Sequence, residues 1–190
     1  LALCFGSMLW IHLPVVAAGQ DTEKYQEALE IMKTLDVIDE NTEYDADAVI
    51  CREDLAVYTA KLMGEHELDV ECRYFIDVPA GSYGTWAINF LVERGAISID
   101  EERLFRPDDP AGADEAVKVI TTVLGYEKFA SANGGYPMGY RRAARAAELY
   151  TPEKETVGFC DFMLMLYSAI QTELYEPMAA RLPWNEQTAH

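Results

Sequence analysis

The feature that most constrains the fold is a recurring pair of short amphipathic helical patterns separated by polar loops. Ala28, Met32 and Leu35 share one helical face at the i, i+4 and i+7 spacing of a helix. After a polar loop, the stretch from Arg52 to Met63 repeats that pattern. The inward positions expected in the later helices are Trp86, Phe90, Leu91, Val117, Ile120, Leu124, Phe162, Met165, Leu166 and Ala169. No strand pattern of useful length interrupts these stretches, so the sequence predicts an all-α fold.

The third unit is also expected to contain two helices. The first is predicted from Tyr140 to Leu149, and Thr151-Pro152 is predicted to start the second, because proline is favoured at the first helical position. A helix pair of this size cannot bury its apolar stripe alone. We therefore expect the three units to stack into one cooperative domain.

The charge balance excludes some classes of partner. Half of the 190 residues are apolar, which is enough for a core. The chain has 33 acidic and only 15 basic residues, so its net charge is −18. Such a surface repels nucleic acids and anionic lipid headgroups, since it offers no basic stripe that displaces their counterions. The acidity suits an exported protein that must stay soluble, and it leaves at most a weak surface affinity for Ca²⁺.

The first residues form a distinct apolar segment. Leu1 to Val16 is apolar, and the small residues Ala17, Ala18 and Gly19 follow it, a pattern typical of a secretory signal peptide. A membrane-spanning helix is the alternative, but the run is shorter than the ~20 residues that a span needs. We expect residues 1–19 to be a signal peptide, already truncated at its start, whose removal leaves no stable membrane insertion.

Residues that carry catalysis or hold metals are not grouped in recognisable motifs. Cys51, Cys72 and Cys160 lack the spacing of a disulfide framework or a zinc site, so buried thiols are expected. The acidic loop 39–47 fails as an EF-hand, because Tyr44 stands where that loop requires glycine. No nucleophile elbow, His-Glu-x-x-His or phosphate-binding glycine loop is present. The sequence predicts neither an enzyme, nor a cofactor, nor a dedicated metal site.

Four short patterns in the middle of the chain resemble those of the S-layer homology (SLH) repeat. They are Phe75-Ile76-Asp77-Val78-Pro79, Trp86-Ala87, Gly95-Ala96-Ile97 and Phe105-Arg106-Pro107. The segment 134–140 resembles a junction between SLH repeats, and the segment 167–170 resembles the end of a third repeat. The resemblance extends from about residue 24 to residue 172 and is weaker in the outer two units.

The resemblance implies both an architecture and a location. It implies a pseudo-threefold bundle with repeats at residues 20–72, 73–130 and 131–175, followed by a tail or linker at 176–190. It also implies export to the cell surface, where SLH domains bind secondary cell-wall polysaccharide, often pyruvylated. The chain would then attach an exported protein to the wall without a covalent bond.

The family's binding motif is Thr-Arg-Ala-Glu at the start of each second helix, where the arginine contacts the anionic sugar. A guanidinium forms a bidentate, charge-assisted pair with a carboxylate, which suits that role. Here 51–54 keeps Arg52 and the acid Asp54, whereas 112–115 and 158–161 keep only the acids Glu115 and Asp161. A carboxylate is stabilised at a helix N-terminus, and this structural effect is enough to explain why the three acids are present. The glycan-binding candidates are Arg52, Asp54, Trp86, Glu115 and Asp161.

Alternatives stay open at these positions. Arg52 is either a glycan contact or a solvated charge, and Trp86 is more often core at helical spacing with Phe90 than a platform for a sugar. Tyr136 and Tyr140 either line a groove between repeats or fix a turn. The alternative function is a degenerate SLH scaffold without glycan binding, acting as a structural or protein-interaction domain. In that case the basic cluster Arg141, Arg142 and Arg145 would meet an acidic partner.

Overall fold

A computed structural model describes residues 16–41 and 43–175, and within them it shows seven helices and no strand. The helices are α1 (Val16–Thr34), α2 (Arg52–Leu62), α3 (Thr85–Glu93), α4 (Ala113–Val123), α5 (Glu127–Ala132), α6 (Met138–Ala146) and α7 (Phe159–Gln171). The all-α prediction is confirmed for this part of the chain. The predicted signal peptide, up to residue 15, and the tail from residue 176 lie outside the described residues. No helix in the described ranges is long and apolar enough to cross a membrane.

The helices pair between units. The main contacts join α3 to α2, α6 to α4, and α1 to α7, while the short α5 packs on α6. The first helix of each unit therefore covers the second helix of a neighbouring unit. Because α1 contacts α7, the arrangement closes on itself. Loss of one unit would expose an apolar helix face on both of its neighbours, so the three units depend on one another.

A closed ring of three backbone hydrogen bonds lies at the centre of the fold. Ile50 N–H donates to the Val157 carbonyl at 3.1 Å, Val157 N–H to the Ala111 carbonyl at 3.0 Å, and Ala111 N–H to the Ile50 carbonyl at 2.9 Å. All three residues are buried. Buried backbone groups must be paired, and here each of the three segments satisfies the next. The ring brings the starts of α2, α4 and α7 around one point.

The starts of these three helices are structurally equivalent. Arg52, Ala113 and Phe159 are the first residues of α2, α4 and α7. Each donates its backbone N–H to a carbonyl of a neighbouring segment, at 2.8–3.0 Å. These three residues are also the ones at the arginine position of the Thr-Arg-Ala-Glu motif. Only one of the three carries a charged side chain.

The second unit shows what its motif residues do. The Asp77 carboxylate accepts the backbone N–H groups of Phe105 and Arg106, both at 2.7 Å. The ring centroids of Phe75 and Phe105 are 5.3 Å apart. These contacts tie the segment before α3 to the loop before α4. The Phe-x-Asp-Val and Phe-x-Pro patterns are therefore explained by structural closure of the unit.

The structure corrects the inward face of α1. Tyr25, Ala28 and Met32 are buried, as the helical spacing requires, but Leu35 is 43% exposed. The helix ends at Thr34, and Asp36 then adopts a positive φ of 57° that turns the chain away. Leu35 therefore leaves the face that the periodicity assigned to it.

The predicted helix start at Thr151-Pro152 is wrong. The structure has irregular backbone from residue 149 to residue 158, and α7 begins at Phe159. Residues 156–158 pair as extended backbone with neighbouring segments, through bridges from Thr156 to Gly112 and from Gly158 to Val49. Those pairings are incompatible with a helix, so the proline signal is overridden by tertiary structure. The short helix α5 was not predicted either.

Candidate ligand-binding cleft

A cysteine caps the helix that presents Arg52. The Cys51 sulfur accepts the backbone N–H of Asp54 at 3.4 Å, and the Asp54 carboxylate accepts the Cys51 N–H at 3.2 Å. This reciprocal capping box normally uses serine or threonine. The thiol replaces the motif threonine in that role, and α2 consequently starts at Arg52.

The cysteines differ from their predicted burial. Cys51, Cys72 and Cys160 are only half-buried, and no disulfide joins them. The expectation of fully buried thiols is therefore wrong. For Cys51 the reason is its place at the N-cap, where a helix end meets the surface. Burial raises the pKa of the Cys51 thiol, which keeps it protonated near neutral pH.

Three contacts hold the Arg52 side chain. Its Nε–H donates to the Phe105 carbonyl at 2.6 Å, and its guanidinium carbon lies 5.0 Å from the centroid of the Phe105 ring. Its Nη1 lies 2.8 Å from the Glu115 carboxylate. The side chain still keeps 27% of its surface exposed. Arg52 is therefore a fixed, partly accessible cation, held in place by the second unit.

Arg52 lies in a cleft of about 560 Å³ where the units meet. Lys118, one turn beyond Glu115 on α4, donates from Nζ to the Ser98 hydroxyl at 2.6 Å. The other residues lining the cleft are Ala96, Ile97, Pro110, Gly112 and Tyr136. Two cations thus face one carboxylate, in a chain whose net charge is −18. The cleft is a locally positive site, suited to an anion.

Burial makes the charges of the cleft costly. It raises the pKa of the Glu115 carboxyl, although Arg52 and Lys118 act in the opposite direction. It also lowers the pKa of the Lys118 amine. The Tyr136 hydroxyl has a raised pKa for the same reason, with Asp114 and Glu115 adding to the effect. Burial removes part of the solvation of both cations. A bound anion would stabilise them, because its negative charge replaces the interactions with water that they have lost.

The position equivalent to Arg52 in α7 is filled by an aromatic stack. Phe159 is buried, and its ring lies parallel to the Tyr44 ring with centroids 4.6 Å apart. Nearby, the Tyr83 hydroxyl donates to Asp54. Asp54 is therefore engaged by its own helix cap and by a tyrosine, away from the cleft. The side chain at the position equivalent to Arg52 is therefore an apolar aromatic ring here.

The remaining candidates lie elsewhere. Asp161 accepts a hydrogen bond from the Tyr150 hydroxyl at 2.5 Å, outside the cleft. Trp86 is only 6% exposed, and its indole N–H donates to the Tyr83 carbonyl at 2.8 Å. Of the five residues singled out from the sequence, Arg52 and Glu115 line the cleft, whereas Asp54 and Trp86 both bond to Tyr83 outside it.

Other residues of the cleft were missed or only partly anticipated. Tyr136 lines it, as one interpretation of the sequence suggested, whereas Tyr140 is buried. No motif in the sequence marks Lys118 or Ser98. The i, i+3 spacing from Glu115 to Lys118 places both residues on one face of α4. This spacing could have predicted that Lys118 lies beside Glu115. Nothing in the local sequence indicates Ser98, because it follows a different helix.

No protein-family model matches the chain, and no curated protein matches its sequence. In the described residues, no group of histidine, cysteine or acidic side chains is arranged to hold a metal ion. The cleft and the arrangement of the three units are therefore the features that bear on function.

Proposed function

We propose that the chain attaches an exported protein to the bacterial cell wall by binding an acidic wall polysaccharide in the Arg52 cleft. The observation that carries this proposal is the pair of cations, Arg52 and Lys118, in a cleft of a strongly acidic chain. We further propose that the three units are degenerate SLH repeats in a pseudo-threefold bundle. The closed ring of Ile50, Ala111 and Val157 supports that packing.

The chemistry of the cleft favours an acidic sugar. A guanidinium and an ammonium can share one carboxylate, with the guanidinium giving directional hydrogen bonds and the ammonium adding charge. The hydroxyls of Ser98 and Tyr136 can bond to sugar hydroxyls, and Ile97 and Pro110 offer apolar surface to the C–H face of a sugar ring. The pyruvyl groups often carried by wall polysaccharides would supply the carboxylate.

Glu115 competes with such a ligand for Arg52. Its carboxylate lies 2.8 Å from the guanidinium, where a ligand carboxylate is proposed to bind. The pKa of Glu115 is raised, so it is protonated at a higher pH than an ordinary glutamate. Protonation removes the negative charge and releases Arg52, while a sugar carboxylate remains ionised. Affinity is therefore expected to rise as pH falls from neutral toward the pKa of Glu115.

The Glu115→Gln variant tests this competition. It is expected to bind the acidic polysaccharide about tenfold more tightly at neutral pH, since one charge-assisted pair is worth ~1.5–3 kcal/mol. Its affinity should also change less with pH than that of the unmodified chain. Calorimetric titration across mildly acidic pH measures both effects. Weaker binding by Glu115→Gln would show instead that Glu115 positions Arg52 for the ligand.

Co-sedimentation with purified Gram-positive cell walls tests the proposed function. We expect the chain to sediment with intact walls, to stay in solution with walls stripped of polysaccharide, and to bind about tenfold more weakly as Arg52→Ala. Arg73→Ala is the matched control, because it also loses an arginine and an ion pair, with Glu93 at 2.9 Å, but at an exposed site outside the cleft. Full binding by Arg52→Ala would exclude the assigned role of Arg52.

One observation favours the second candidate function, a scaffold that has lost glycan binding. Arg52 already has internal partners in Phe105 and Glu115, and its equivalents are Ala113 and Phe159. This candidate predicts no wall binding with or without Ca²⁺, together with self-association or a protein partner at the cell surface. Sedimentation equilibrium and the wall-binding assay separate the two candidates.

A further inference from the structure

A small cleft lined by aromatic side chains lies between α2, the loop that follows α1, and the start of α3. Its volume is about 180 Å³. Four aromatic residues line it, namely Tyr44, Tyr58, Tyr83 and Trp86. None of the four lines the Arg52 cleft. We refer to this space as the aromatic cleft, and a lining of this kind is typical of sites for organic cations or apolar groups.

The rings of the aromatic cleft are held in place by the fold. The Tyr44 ring is stacked on Phe159, with centroids 4.6 Å apart, and the Tyr58 ring meets the same Phe159 edge-on at 6.1 Å. The Trp86 indole N–H donates to the Tyr83 carbonyl at 2.8 Å. A ligand would therefore meet rings that are already ordered, which lowers the entropic cost of binding.

Polar atoms of these rings already have partners within the protein. The Tyr44 hydroxyl accepts the backbone N–H of Asp39 at 2.9 Å, and the Tyr83 hydroxyl donates to Asp54. The rings thus offer aromatic surface to a ligand more than they offer hydrogen bonds. An alkylated ammonium group suits such a site, because it carries a positive charge that aromatic rings attract and needs no hydrogen-bond acceptor.

The charges around the aromatic cleft favour a cation. Among the described residues that line it, Asp39 and Glu67 are acids and Lys61 is a base. Burial raises the pKa of the Tyr58 hydroxyl, and the negative charge of Asp54 raises it further. The balance is negative in a chain whose net charge is −18. The aromatic cleft therefore opposes an acidic ligand and attracts a positively charged one.

We propose that the aromatic cleft binds a small free organic cation with an alkylated ammonium group, of which choline is the simplest probe. The aromatic rings contact the ammonium group, Asp39 and Glu67 balance its charge, and Lys61 weakens the binding. This site differs from the Arg52 cleft in position and in the charge of its ligand. The proposal therefore does not depend on the proposed function.

An NMR titration of the full chain with choline chloride, at constant ionic strength, tests this site. The Trp86 indole N–H resonance is expected to shift saturably, with a dissociation constant on the order of 1 mM, since a few cation–π contacts supply the affinity. The neutral tert-butyl analogue of choline has the same shape and is expected to bind about tenfold more weakly. No saturable shift with choline, or equal affinity for the neutral analogue, would overturn the proposal.

Variants of Tyr83 separate its ring from its hydroxyl. Tyr83→Leu is expected to weaken choline binding about fivefold through loss of one cation–π contact, whereas Tyr83→Phe, which keeps the ring, should retain it. The matched control is Tyr136→Leu, because Tyr136 is also an exposed tyrosine but lies in the Arg52 cleft. Lys61→Gln should strengthen binding several-fold. Unchanged affinity in Tyr83→Leu, or equal losses in Tyr83→Leu and Tyr83→Phe, would contradict a contact with the ring.

Phosphorylcholine distinguishes a free cation from an ammonium group attached to a phosphate. It is expected to bind more weakly than choline, because Asp39 and Glu67 repel the phosphate. Tighter binding of phosphorylcholine would overturn the assignment to a free cation. Wall polysaccharide takes no part in these titrations, so choline binding by a chain that fails to bind cell walls would still support this site.

Discussion

Replacing Phe105 with alanine is expected to lower the free energy of unfolding by about 3–5 kcal/mol, the usual cost of removing a fully buried aromatic ring. Phe105 is 1% exposed. Its ring contacts that of Phe75, with centroids 5.3 Å apart, and lies beneath the guanidinium of Arg52. The truncation therefore leaves a cavity in the core and removes part of the support of the cleft.

Urea unfolding monitored by circular dichroism measures this loss. The matched control is Phe90→Ala, because Phe90 is only half-buried and its ring is covered by Arg94, with the guanidinium carbon 4.6 Å from the ring centroid. We expect Phe90→Ala to lose less than half as much stability. Equal losses in the two variants would contradict the central place of Phe105 in the core. Under conditions in which the Phe105→Ala variant remains folded, it should also bind the polysaccharide more weakly than the unmodified chain.

Replacing Gly139 with alanine is expected to destabilise the fold by about 2–3 kcal/mol, within the range for overpacking. A Cβ at this position would lie 2.0 Å from the Ala130 carbonyl oxygen and 2.9 Å from its carbonyl carbon. Both contacts are with backbone, which no side-chain rotation can relieve. The helices α5 and α6 must therefore move apart to admit one methyl group.

Gly158→Ala is the matched control for Gly139→Ala. Gly158 has an ordinary φ of −79°, and the nearest atom to an added Cβ is a side-chain oxygen of Asp161 at 3.6 Å. Its replacement should cost less than ~1 kcal/mol, since only a helix N-cap preference is lost. Thermal unfolding of both variants gives the comparison. A Gly139→Ala variant as stable as Gly158→Ala would show that α5 and α6 are not packed as described.

Local periodicity predicted the helices well because it depends on residues close in sequence. The stretch Arg52 to Met63 was predicted helical, and α2 spans Arg52–Leu62 with Leu55 and Thr59 buried as expected. The ring of three hydrogen bonds was beyond this approach, because each partner comes from a different unit. The ring also requires extended backbone at residues 156–158. For this reason the helix predicted to start at Thr151-Pro152 does not form there.

The candidate site was predictable only where a motif indicated it. Arg52 and Glu115 were both named, but Glu115 was explained as an acid at a helix N-terminus, and its ion pair with Arg52 was not foreseen. Pairing across units depends on the fold and leaves no local pattern. Arg145 was predicted only as part of a basic cluster, and the cleft that it lines between α4 and α6 depends on the packing of two units.

The most direct measurement of the central claim is a calorimetric titration of the chain with one purified wall polysaccharide, before and after its pyruvyl groups are removed by mild acid. If the Arg52 cleft binds an acidic sugar, the intact polymer binds, the treated polymer loses most of its affinity, and Arg52→Ala reduces binding of the intact polymer alone. Equal affinity for the two polymers, or no binding of either, would contradict the account.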